Sequence, residues 1–96
     1  MARQSFESVW DALEKTPEAA AAMKMRSSLL IAIEQKVESW GVTQAVAARR
    51  LGITQPRLND LLRGKINKFS LDMLIEIAAK ADLKVRMQIT KVAKAA

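Results

Sequence analysis

Residues 43–64 read TQAVAARRLGITQPRLNDLLRG, and this stretch decides the fold. Thr43 is a helix cap, because its short side-chain oxygen can accept from a backbone N–H one turn on. The helix it opens is expected from Gln44 to Leu51. Gly52 supplies the positive φ that a tight turn needs, and Ile53 follows. Thr54 is a second cap, for a helix expected from Gln55 to Arg63 before Gly64 stops it. Ala48 is small where the two helices must cross, and a larger side chain would hold them apart. Leu51, Ile53, Leu58 and Leu61 fall where the pair must bury apolar surface.

Two short helices joined by a three- to four-residue turn containing glycine make a helix-turn-helix arrangement. The spacing matches that arrangement at nearly every position. Ala47 departs from it, since a larger aliphatic residue is usual there, and Val46 or Trp40 is the neighbour expected to fill the space.

The flanking sequence reads as helix too. Ser5 can cap a helix whose apolar residues Phe6, Val9, Trp10 and Leu13 recur at helical spacing. Thr16-Pro17-Glu18 is a start signal: a cap, a proline in the first turn, then an acid at the positive dipole end. That helix is expected to run to about Ser39, burying Leu30, Ile33, Val37 and Trp40, with Gly41 ending it. Ser70 caps a last helix whose apolar face is broad: Leu71, Leu74, Ile75 and Ala78, widened by Met73 and Ile77. After Asp82 the period changes to two. Val85, Met87 and Ile89 alternate with Lys84, Arg86, Gln88 and Thr90, which predicts a strand with one buried face. No second strand is evident, so pairing with the same strand of another subunit, or addition to a partner protein, is expected. Residues 91–96 are expected to fray.

The expected fold class is therefore all-α or mainly α. It is a compact bundle of about five helices containing a helix-turn-helix, with a short C-terminal β-strand used in pairing. One domain is expected over 1–96: N-terminal helices in 1–40, the helix-turn-helix and following helix in 41–82, and the strand in 83–90. At 96 residues the chain is long enough for one core and no more.

The chain has no Cys and no His, which removes disulfides, thiolate metal sites and the commonest general base. Its six serines have no His partner, and its carboxylates show no dyad or ligand spacing. An enzyme is not expected, nor any metal or cofactor. No transmembrane run and no signal-peptide pattern is present, so the expected location is the cytoplasm. Net charge is +6. Residues 49–68 hold Arg49, Arg50, Arg57, Arg63, Lys65 and Lys68 against Asp60 alone. Positive charge concentrated on the motif points to a polyanionic partner.

Gly41-Val42-Thr43-Gln44, Leu51-Gly52-Ile53-Thr54-Gln55-Pro56-Arg57 and Leu61-Leu62-Arg63-Gly64-Lys65 together resemble the Cro/CI (Xre) helix-turn-helix family. The continuation Lys68-Phe69-Ser70-Leu71-Asp72-Met73-Leu74 resembles the branch that holds HigA-type antitoxins and their solitary relatives. The likeness covers roughly residues 24–90. It implies double-stranded DNA as partner, read as an inverted repeat by a homodimer acting as a repressor. It also implies a short C-terminal strand and, in the antitoxin branch, a small basic RelE-like ribonuclease toxin. The competing class is a protein-interaction module that keeps the fold without binding DNA.

In this motif the first residues of the second helix contact base edges. Gln55 and Asn59 suit adenine, Arg57 suits guanine, and Asp60 can accept from cytosine N4. Pro56 offers an apolar face to a thymine methyl. Asp60 sits three residues from both Arg57 and Arg63, so pairing with them is its other reading. Gln44 resembles the family glutamine that holds a phosphate. Thr43 and Thr54 can add hydroxyl contacts, and Arg63, Lys65, Asn67 and Lys68 form a phosphate-contacting loop. Trp10 and Trp40 read as packing residues. Residues 1–18 carry Glu7, Asp11, Glu14 and Glu18 against Arg3 and Lys15. This acidic segment either packs on the chain's own core or meets a basic toxin.

Overall fold

The computed structural model describes residues 16–92. The helix expected from Ser5 lies outside them. Four α-helices follow: α1 Pro17–Trp40, α2 Gln44–Leu51, α3 Gln55–Leu62 and α4 Leu71–Lys80, with a 3-10 turn at Ile66–Lys68 before α4.

Each α-helix begins as the sequence dictates. The hydroxyls of Thr16, Thr43, Thr54 and Ser70 accept from the N–H of Ala19, Val46, Arg57 and Met73, at 3.1–3.2 Å. Each cap satisfies one of the donors that a helix start leaves over.

The ends share a device. Gly52 N–H donates to Arg49 O and Ile53 N–H to Ala48 O; Gly64 N–H donates to Leu61 O and Lys65 N–H to Asp60 O. Asp82 N–H donates to Ala79 O and Leu83 N–H to Ala78 O. These are three Schellman closures, each turning on a residue in the left-handed region. Gly52 takes φ 69° without cost. Asp82 takes φ 61° with a side chain, at a cost of roughly 1–2 kcal/mol that the closure must offset.

α1 packs mainly on α4, and α2 on α3, with α2 also against α4. The core joins Met23, Leu30, Ile33 and Val37 of α1 to Ala47, Ala48 and Leu51 of α2, Leu58 and Leu61 of α3, and Leu74, Ile77 and Ala78 of α4. Ile66 and Phe69 close it from the loop. Trp40 is half-buried against this core, and Ala47 itself is buried. Among the described residues no helix is long and apolar enough to cross a membrane.

The C-terminal strand does not form. No strand exists among the described residues, and residues 84–92 carry no secondary structure. Val85, Met87 and Ile89, expected to share a buried face, are 44%, 71% and 85% exposed. The physical reason is that a strand needs another strand's N–H and C=O groups. After the Leu83 closure the described chain offers none.

Candidate nucleic-acid interface

The short crossing of α2 and α3 sets the site. Ala47 and Ala48 are buried, as are Leu58 and Leu61 on the facing side. Burying that face turns the other face of α3 outward. Gln55, Pro56 and Arg57 are exposed at its start, and Asn59 is half-buried on the next turn. Thr43 and Gln44 are exposed at the start of α2. The hydroxyls of Thr43 and Thr54 accept from the backbone N–H of Val46 and Arg57, which leaves each O–H free to donate.

Arg57 does not project past the helix tip. Its guanidinium lies 5.7 Å from the centroid of the Phe69 ring, and Nη1 donates to Lys68 O at 3.4 Å. One long hydrogen bond and an exposed cation–π contact hold it weakly, at about 0.5–1 kcal/mol for the stacking. The arginine is parked beside the loop and can swing to a base edge at small cost. Arg50 is held in a similar way, 5.0 Å from the centroid of Trp40.

Asp60 pairs with neither Arg57 nor Arg63. Its Oδ1 lies 3.6 Å from Lys65 Nζ and its Oδ2 3.6 Å from Lys68 Nζ. The Schellman closure explains the choice. It places Lys65 directly beside Asp60, at the two positions that usually make an apolar contact. Here the contact is ionic. A distance of 3.6 Å is longer than a charge-assisted hydrogen bond, so each pair is weak. The trio fixes the loop lysines beside α3 and leaves a net +1 there.

Arg63 and Lys68 are exposed, as is Asn67 in the 3-10 turn; Lys65 is partly covered. The structure thus brings Arg57, Asp60, Lys65 and Lys68 to one flank of α3, with Gln55 and Pro56 at its tip. Phe69, the buried ring under Arg57, stands in the sequence only as part of the family-like stretch 68–74. Phe69 has no helical or strand period with its neighbours, so its only signal is an aromatic residue directly after a basic loop.

A family model described as a helix-turn-helix domain matches residues 13–90. A solved structure assigned by name to the XRE family of transcriptional regulators is 30% identical, with a TM-score of 0.70, over 78% of this chain and 86% of that one. The chain belongs to the XRE-type helix-turn-helix family. No curated protein matches it. Within the XRE-type fold, α2 and α3 are the two helices of the motif, and both present exposed starts.

Proposed function

We propose that this XRE-type protein is a sequence-specific DNA-binding repressor that acts as a dimer. The observation that carries the reading is α3: capped by Thr54, buried on one side through Leu58 and Leu61, and presenting Gln55, Pro56, Arg57 and Asn59 outward beside a cationic loop. Gln55 reads adenine, and Arg57 reads guanine after leaving Phe69. Thr43, Gln44, Thr54, Arg63, Lys65, Asn67 and Lys68 hold the phosphates and set register. Asp60 reaches a base only by releasing both lysines, so tethering them is its better role.

Gln55→Ala is expected to cost roughly 1–3 kcal/mol on the cognate site and to relax preference at one base-pair step. Selection from a random duplex library checks this. An identical logo for parent and variant removes Gln55 as a reader. A helix-turn-helix kept only for protein contacts would show no duplex binding at low salt.

The dimer rests on the unpaired segment 83–90. Two copies meeting there would give each backbone the partner it lacks and pair Val85, Met87 and Ile89 across a two-fold axis. The operator is then an inverted repeat with half-sites about one helical turn apart. Removing residues 83–96 is expected to abolish cooperative operator binding while the rest stays largely helical. Sedimentation of the full chain as a monomer at assay concentrations overturns the dimer.

The antitoxin role is a second reading, favoured by the acidic balance of residues 1–18 and opposed by the overall +6. A basic toxin would avoid the recognition face, where like charges meet. Co-expression with the product of the adjacent gene decides it. If no small neighbour co-purifies or is toxic without this chain, the solitary repressor stands.

A further inference from the structure

A groove of about 390 Å³ lies between α1, α4 and the segment after Asp82, on elements other than α2 and α3. Its floor is apolar, with Leu29, Leu71, Ile75 and Ala78, and Met25 stands on its α1 wall, 49% exposed. Its rim is cationic: Lys24 on α1, and Lys84 and Arg86 on the C-terminal segment. No acid lines it. Leu71 and Ile75 are the part of α4's broad apolar face that the core leaves half-covered.

We propose that residues 5–14 of the same chain dock in this groove. The first argument is chemical fit. Phe6, Val9, Trp10 and Leu13 recur at i, i+3, i+4 and i+7, which gathers them on one face of a helix. Glu7, Asp11 and Glu14 recur at i, i+4 and i+7, which sets all three acids along one edge of that face. An apolar ridge with an acidic edge complements an apolar floor with a cationic rim. The segment 5–14 holds three acids and no base, against a rim of three bases.

The second argument is reach. Pro17 forces Thr16 out of the helical region, and Thr16 sits at φ −123°, ψ 145°. Thr16 itself therefore departs from the axis of α1. The groove's wall on α1 begins at Lys24, about 10 Å from the helix start at 1.5 Å per residue. A ten-residue helix spans about 15 Å, and two extended residues, 15 and 16, would add up to about 7 Å, so a segment folded back along α1 can reach Met25 and Ser28 with Trp10 level with the groove wall. Such docking would cover apolar surface that the described residues leave open; it shares residues 83–87 with the segment proposed for pairing and leaves α2 and α3 free.

The test uses the full chain with Trp40→Phe, which leaves Trp10 as its one indole. Docking predicts blue-shifted Trp10 emission and protection from acrylamide that is unchanged by dilution. Met25→Asp, at an exposed position, is expected to abolish the protection while far-ultraviolet circular dichroism shows the helices intact. Lys84→Glu with Arg86→Glu is expected to weaken it. Adding Glu7→Lys, Asp11→Lys and Glu14→Lys to that pair is expected to restore it, which a merely structural loss would not. Trp10 as quenchable as in urea overturns the proposal, as does protection that survives Met25→Asp. Protection lost on dilution assigns the groove to a second copy's segment. Protection that arises only with an added partner assigns the segment to that partner, and either result overturns docking within one chain.

Discussion

Raising salt from about 50 to about 200 mM is expected to weaken duplex binding on the order of a thousandfold or more. Each Lys or Arg that meets a phosphate releases a condensed counterion, and about six to ten such contacts per dimer give that slope. On the proposed reading the cations beside α3 are expected to supply them: Arg63 and Lys68 in the open, and Lys65 at the edge. Lys65→Ala and Lys68→Ala are each expected to weaken cognate and random duplex about equally and to reduce the salt slope by about one. Asp60→Asn gives the opposite sign. It frees both lysines from their 3.6 Å pairs, so random duplex should bind more tightly. Folding stability should change by about 1 kcal/mol at most, because the pairs are partly exposed. A base-reading Asp60 would instead lose affinity for the cognate site alone. Titration of labelled duplex at several salt concentrations measures all of these, and a flat response removes DNA as the ligand.

The helices were legible because their signals are local. Thr43 and Thr54 cap, Gly52 turns, and the apolar residues between them keep one face, so local chemistry and the packed fold agree. The positions where sequence and structure part are those where the partner lies past a helix end or outside the described residues. Asp60 has Arg57 and Arg63 at helical spacing, but α3 ends at Leu62 and the closure brings Lys65 in first. The left-handed turn at Gly64 selects that partner, and helical periodicity has no way to express it. Arg57 has a free helix tip in front of it, but Phe69 and the Lys68 carbonyl lie to its side. Both contacts span more than ten residues, where pattern gives no guide. The 83–90 alternation is genuine in the sequence, yet alternation states only which side chains share a face. A ladder needs a second backbone, and the described residues do not contain it. The same residues therefore read as strand in the sequence and stand exposed in the isolated chain.

Phe69→Ala is expected to destabilise the protein by about 3–5 kcal/mol, the usual cost of deleting a buried ring. Phe69 is 1% exposed and stands with Met23 and Ile33 among the largest fully buried side chains. It joins the loop after α3 to the core formed by α1 and α4. The backbone on both sides is held, since Phe69 N–H donates to Ile66 O and the Ser70 cap fixes the start of α4. A domain of this size holds about 5–15 kcal/mol in all, so the loss would leave it marginal at 25 °C. Urea unfolding followed by circular dichroism measures it, and a loss under about 1.5 kcal/mol would mean that the site repacks. Phe69→Leu separates packing from function. It keeps an apolar side chain in the space, so most of the stability should remain, but it removes the ring under the Arg57 guanidinium. Arg57 then loses its resting place. If that place holds the arginine ready for a base, Phe69→Leu lowers cognate affinity with little effect on random duplex. If the stacking holds Arg57 back, cognate affinity rises. Equal affinity for both sequences in parent and variant would leave Phe69 as core alone.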